Sequence, residues 1–203
     1  MKAAGLSQKH LNALRQNAED LHSRDRDYRR DANIGFFIYL LTVLLIAFGI
    51  RTFIGEPIRV DGDSMYPTLR NGEQMIVEKL SYYVSPPERG DIIVCYYPGF
   101  TISCVKRVIG LPGDTICVSH GDVSINGEPL DESAYWDDRI RGNMDPLVVP
   151  EGTVFVMGDN RNNSSDSREE SVGPIPFEKI VGKVVYVMWP LDSLRAVRHV
   201  DYA

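Results

Sequence analysis

From Ile34 to Ile50 the chain reads IGFFIYLLTVLLIAFGI, without a charged residue. An apolar run of this length predicts a membrane-spanning helix at the lower edge of what crosses a hydrocarbon core of about 30 Å, lengthened toward residue 52 if Arg51 snorkels. The alternatives are a buried core helix and a cleavable secretory signal, and the largely polar residues 1–33 speak against a signal, which begins near the N-terminus. Upstream, Leu11, Leu14, Ala18 and Leu21 recur at spacings of three and four, predicting a short amphipathic helix with Ser7 as its cap. Downstream the period changes. Short β-branched runs bounded by Gly, Pro and Asp predict strands at 74–78, 91–97, 102–109, 122–125, 153–157 and 180–188. Asn126-Gly127 predicts a tight hairpin turn, because both positions tolerate positive φ. Residues 128–150, rich in Asp, Pro and Gly, read as a long connecting loop. No stretch beyond the apolar run keeps a helical period for three turns, so the second part of the chain is expected to be mainly β.

Charge then gives the apolar run a direction. Arg24, Arg26, Arg29 and Arg30 precede it, whereas Arg51 and Arg59 follow. The positive-inside rule places residues 1–33 in the cytoplasm, 34–52 in the membrane as an anchor, and 53–203 outside as a catalytic or binding domain. The net charge of -6 argues against a nucleic-acid partner. Cys95, Cys104 and Cys117 lie at no metal-ligand spacing, which argues against a metal site. Cys104 and Cys117 are either one disulfide or two small buried residues.

Three segments could carry chemistry. Ser64 sits in VDGDSMYPTL, a polar turn stiffened by Pro67, which presents a hydroxyl outward. Lys106 interrupts a β-branched run, VKRVIG, where alternation puts it on the face of Val108 and turns Arg107 the other way. A strand lysine either snorkels to water or is buried, and burial lowers its pKa toward working pH and makes it a base. The third segment, GDNRNNSSDSR from Gly158 to Arg168, is either a solvated loop or a polar network. Its Asn-x-Ser triplets are too short to signal glycosylation. The histidines are badly placed for a Ser-His-Asp triad: His10 and His22 precede the apolar run, His199 is near the C-terminus, and His120 lies in a turn-like SHGD.

Taken together, Ser64 in SMYPTL, Met75-Ile-Val-Glu-Lys79, Arg89-Gly-Asp91, Lys106-Arg-Val-Ile-Gly-Leu-Pro-Gly-Asp114, Gly158-Asp-Asn-Arg161 and Asp166-Ser-Arg168 resemble, in type and order, the motifs of type I signal peptidases. The resemblance implies a coiled antiparallel β-sheet peptidase domain behind one transmembrane helix, working without cofactor at the cell membrane. Its partners would be membrane lipid and the signal peptides of secretory preproteins, cut after small residues in an Ala-x-Ala-like site. It further implies Ser64 as nucleophile, Lys106 as general base and Ser164 as a hydroxyl that orients the lysine. Asp159, Asp166 and Arg168 would hold the polar loop, and Met65 and Gly62 would border the substrate groove. Gly62 stands where some members carry a serine that donates to the oxyanion, so here the Ser64 backbone N–H is the one donor the resemblance supplies. Pocket walls are sought near Ile58, Val60 and Ile102, and the aromatics Tyr82, Tyr83, Tyr96, Tyr97 and Phe100 are divided between core and interface, with at least half in the core. Competing readings are a dedicated processing peptidase with the same dyad, a self-cleaving relative, and a tethered β-domain that binds exported segments without cutting them.

Overall fold

A computed structural model describes residues 8–49, 55–198, 200 and 202. Contacts divide the chain into two compact units, Met1–Ile50 and Arg51–Ala203. Ser7, Ile50, Arg51 and His199 lie outside the described residues, so the expected cap and the extension of the apolar run toward residue 52 do too.

The first unit is one helix, α1 (Gln8–Gly49). The sequence predicts a short helix and a separate apolar one; the structure joins them, because residues 22–33 contain no Gly or Pro to break the ladder. An i,i+4 pair, Arg29 to Asp25 at 3.1 Å, supports the join. Phe36, Phe37, Tyr39, Leu41, Leu45 and Phe48 are each more than half exposed. By length and composition α1 is able to cross a membrane.

The second unit is mainly β, with a larger and a smaller antiparallel sheet. Its elements are β1 (Gly55–Arg59), β2 (Gln74–Glu78), a single turn α2 (Ser81–Val84), β3 (Ile92–Tyr96), β4 (Ser103–Gly110), β5 (Thr115–Ser119), β6 (Asp122–Ile125), β7 (Glu128–Pro129), β8 (Met144–Val148), β9 (Thr153–Met157), β10 (Ile175–Pro176), β11 (Ile180–Trp189) and β12 (Arg195–Ala196). The larger sheet runs β1-β2-β11-β3-β4-β9-β10 with β12 on β11, and the smaller runs β7-β6-β5-β8.

Alternation along β3 and β9 explains the curled packing. Ile92 and Val94 enter one apolar cluster with Val60, Met65, Leu69, Met75, Val77, Val184 and Val187. Their neighbours Ile93 and Cys95 enter another with Val108, Val154, Val156 and Ile175. On β9, Phe155 and Met157 turn from that second cluster into a third beneath the small sheet, with Ile109, Ile116 and Val118. Strands buried on both faces read as continuous apolar runs, and each large side chain so buried contributes about 1.5–3 kcal/mol.

The predicted hairpin is present: Asn126 has φ 55 and Gly127 φ 89. The expected 128–150 loop is in part a correction, since β8 pairs with β5 through Thr115–Val148, Ile116–Leu147 and Val118–Met144. Pro146 hid this strand, yet β8 is the edge of its sheet, where a missing N–H is tolerated. Pro57 hid β1, also an edge, in the same way. All three cysteines are free thiols, with Cys104 opposite Cys95 rather than bridged to Cys117. Cys95 is fully buried, and burial pushes its thiol up to about 12, so it behaves as a small apolar side chain. Of the five aromatics only Tyr97 is fully buried, while Tyr83, Tyr96 and Phe100 are exposed, fewer in the core than the sequence suggested.

Candidate active site

The site is assembled from the turn after β1, strand β4 and the loop after β9. Strand alternation puts Lys106 on the face of Ile93, Cys95 and Val108, and only 4% of it is exposed. Its Nζ lies 2.9 Å from Ser64 Oγ and donates to the Val105 carbonyl at 2.9 Å. Burial lowers the Lys106 pKa below its ordinary 10.5, against the opposing influence of Cys104, Asp166 and Asp159. A neutral amine beside a hydroxyl can take its proton, and a lysine in this setting can do so without histidine.

The Ser64 turn is held by the 158–168 loop. Asn160 N–H donates to the Ser64 carbonyl at 3.0 Å, and Asn160 Nδ2 donates to the Asp63 carbonyl at 3.1 Å. Four residues along, Thr68 Oγ1 donates to Asp159 Oδ2 at 2.5 Å. Asp159 also accepts a bidentate pair from Arg107, Nε at 2.7 Å and Nη2 at 2.6 Å, with both side chains almost wholly buried. Lys106 and Arg107, adjacent in sequence and opposed in direction, thus serve one turn from two sides of a strand.

Asp166 takes Arg168 in a second bidentate pair, at 2.7 and 2.8 Å, and accepts Gly158 N–H at 3.0 Å. Burial alone would raise the Asp166 carboxyl; Arg168 and the Gly158 N–H hold it below the ordinary 3.8. Arg168 Nη2 donates also to the Arg161 carbonyl at 2.7 Å. These contacts make the polar loop a network rather than a solvated tract.

Met65 is 1% exposed and packs with Val60, Leu69 and Met75. It lies beneath the turn, where an apolar side chain next to Ser64 gains more from the core than from the surface. Ser164 Oγ is buried and meets no hydrogen-bond partner in distance and angle among the described residues, while the Lys106 amine donates to the Val105 carbonyl. Ser164 is nonetheless close, since a Cβ placed on Gly158 would lie 2.3 Å from Ser164 Oγ and 2.5 Å from the Ser64 carbonyl. Gly62, with φ +95, is exposed at the entrance to the turn, and its N–H donates to Asn71 Oδ1 at 3.2 Å. Val60 is core, Ile58 packs against that core, and Ile102 is 74% exposed.

The Gly158 geometry carries a prediction. An alanine there must displace either the Ser164 hydroxyl or the Ser64 backbone. Displacements of this size near reacting atoms cost about 10²-fold in rate, so Gly158→Ala is expected to lose at least about that in kcat/KM while circular dichroism still reports a folded β domain. Unchanged turnover would mean that the site tolerates the shift.

Sequence reasoning missed a third network. Arg161, fully buried, donates to Glu132 and, through Nη2, to Tyr135 Oη at 2.9 Å. The Tyr135 ring lies 4.4 Å from the Arg107 guanidinium carbon and 5.2 Å from that of Arg161. Glu132 and Tyr135 come from the segment read as a loop. Their one available signal was an aromatic pair, Tyr135-Trp136, in a polar stretch.

Residues 34–189 match the family described as "Signal peptidase, peptidase S26". A Signal peptidase I from Leptolyngbya laminosa is 42% identical over 159 residues, 74% of this chain and 77% of that one. Signal peptidase I P of Bacillus subtilis subsp. natto is 38% identical over 181 residues, 84% of this chain and 97% of that one. Among solved structures, a signal peptidase I from Enterococcus faecalis V583 aligns at 34% identity with a TM-score of 0.40, covering 49% of this chain and 97% of that chain. With a family match over most of its length and relatives near 40% identity along three quarters of it, this chain belongs to the signal peptidase family, peptidase S26.

Proposed function

We propose that this peptidase cleaves signal peptides from exported preproteins through a Ser64–Lys106 dyad while anchored by α1, with residues 1–33 cytoplasmic and 53–203 outside the cell membrane. The observation that carries the reading is the 2.9 Å approach of a buried, pKa-lowered Lys106 amine to Ser64 Oγ. Lys106 takes the Ser64 proton as Oγ attacks the scissile carbonyl, and then delivers it to the leaving amine. The Ser64 backbone N–H is the oxyanion donor nearest to hand. Asp159, Asp166 and Arg168 hold the loop that grips the turn, with Ser164 beside it. Tethering on the bilayer that carries the substrate's apolar segment raises effective concentration at the cut site. No cofactor takes part. Specificity for Ala-like residues one and three positions before the bond follows from the family resemblance.

The experiment is cleavage of a preprotein bearing an Ala-x-Ala site in lipid, with the product's new N-terminus identified by mass spectrometry. Cutting after the second Ala supports the reading, and cutting elsewhere or none contradicts it. A panel of preproteins then separates a general peptidase from a dedicated one.

The lowered Lys106 pKa also fixes a pH dependence. Activity requires the neutral amine, so kcat/KM is expected to rise with pH along a single-proton limb centred below 10.5, the ordinary lysine value. Stability has the same sign: between the folded and unfolded pKa values the unfolded chain holds the extra proton, so this group's contribution increases with pH. A rate that falls as pH rises through neutrality would contradict the first, and a Lys106 contribution to unfolding free energy that falls over the same range would contradict the second.

A further inference from the structure

The segment past β12 lies beyond the residues matched by the family, yet it reaches back to the site's support. Val200 passes Gly90 so closely that a Cβ on that glycine, whose φ is +91, would lie 2.2 Å from the Val200 carbonyl. Gly90 is the residue whose own carbonyl accepts Arg107 Nη1 at 2.9 Å. The segment separates two concavities of about 650 and 670 Å³, and Val200 lines both. The second also reaches Thr68, Arg107 and Tyr135. Two residues further on, Tyr202 Oη lies 2.5 Å from Tyr135 Oη.

Tyr135 Oη lies within hydrogen-bond distance of Glu132 Oε1, at 3.2 Å, and accepts from Arg161 at 2.9 Å. Either hydroxyl can supply the proton of the 2.5 Å contact, so Tyr202 Oη is a further polar partner of Tyr135. Burial pushes the Tyr202 phenol up, opposed first by its hydrogen bond with Tyr135 and then by Arg107 and Arg161. Tyr135 in turn spans both guanidiniums, and Arg107 holds Asp159, which holds Thr68 of the Ser64 turn.

We propose that Tyr202 is a positioning residue of the peptidase: its hydroxyl closes the buried Tyr135–Arg107–Asp159–Thr68 chain that sets Ser64 against Lys106. It touches no reacting atom and acts through Tyr135. The inference rests on the Ser64–Lys106 reading. Losing the hydroxyl removes one partner of Tyr135, whose ring lies against both guanidiniums, and the resulting slack is expected in the alignment of Ser64 rather than in substrate binding. Polar networks of this kind rigidify a site only while every member is satisfied.

The test compares Tyr202→Ala and Tyr202→Phe with wild type and Ser64→Ala in the full chain, in lipid, at a temperature where all are folded. Tyr202→Ala is expected to lower kcat about tenfold with KM within about twofold, because a displacement well under 1 Å costs less than the 10² of a full ångström. Tyr202→Phe, which keeps the ring and loses only the hydroxyl, is expected to show most of that loss, and a wild-type kcat in Tyr202→Phe would overturn the role given to the hydroxyl. Unchanged kcat in Tyr202→Ala, or a raised KM with kcat intact, would overturn the proposal, the latter by making the segment a substrate contact. A drop in Tyr202→Ala explained entirely by a smaller folded fraction would overturn it too. If Ser64→Ala still cleaves, it is the dyad reading that fails, whatever Tyr202 does.

Discussion

Replacing Lys106 by alanine is expected to lower kcat by about four orders of magnitude, and Ser64→Ala by a similar amount, since residues acting as one unit lose nearly everything when either goes. Among the described residues Ser64 has one candidate base at hydrogen-bond distance, the Lys106 amine at 2.9 Å. The lysine is held there by burial and the Val105 carbonyl, and burial favours its neutral form. Arg107, although adjacent, cannot substitute: it faces the opposite side, is committed to Asp159, and stays protonated. Fold and function should separate in this experiment. Removing a desolvated amine relieves a burial penalty, so Lys106→Met is expected to match or exceed wild type in melting temperature while remaining inactive. Retained turnover in either dyad variant, measured with the same preprotein, would remove that residue from the mechanism.

The largest stability effect is expected at Asp159. Asp159→Ala leaves the Arg107 guanidinium, 1% exposed, without its bidentate partner and deprives Thr68 of its acceptor. Breaking a buried pair by removing one partner costs about 3–5 kcal/mol, which for a domain of this size corresponds to a fall in melting temperature of roughly 10 °C. Activity should fall further than the folded fraction alone explains, because Thr68 anchors the far end of the Ser64 turn. Asp159→Asn, which keeps one acceptor oxygen, should lose less on both counts. Thermal denaturation by circular dichroism alongside specific activity separates the two losses, and a melting temperature within about 2 °C of wild type would show that Arg107 finds another partner.

What could be read from the sequence divides along physical lines. The central strands declared themselves because they are buried on both faces and so appear as unbroken β-branched runs, as in Ile92–Cys95 and Thr153–Met157. The Asn126-Gly127 turn was legible because its backbone demands those residue types. Edge strands were not: β1 and β8 each carry a proline that a central strand would reject. The same division runs through the site. Ser64 and Lys106 stood out as a turn serine and a charge in an apolar run, but nothing local ties them together, since their contact is made across 42 residues of chain. Arg107, Asp159 and Thr68 are also joined only in three dimensions, and Glu132, Tyr135 and Tyr202 were hidden in segments without periodicity. Met65 shows the converse, a residue beside the nucleophile in sequence whose apolar side chain packs into the core.

The Ser64–Lys106 assignment is tested most directly by trapping the acyl-enzyme. Wild type and Lys106→Ala are incubated with a serine-acylating penem, digested, and mapped by mass spectrometry. A wild-type ester on the peptide containing Ser64, absent from Lys106→Ala, is the predicted result. An adduct on a different residue, or equal labelling of Ser64 without the lysine, would contradict it.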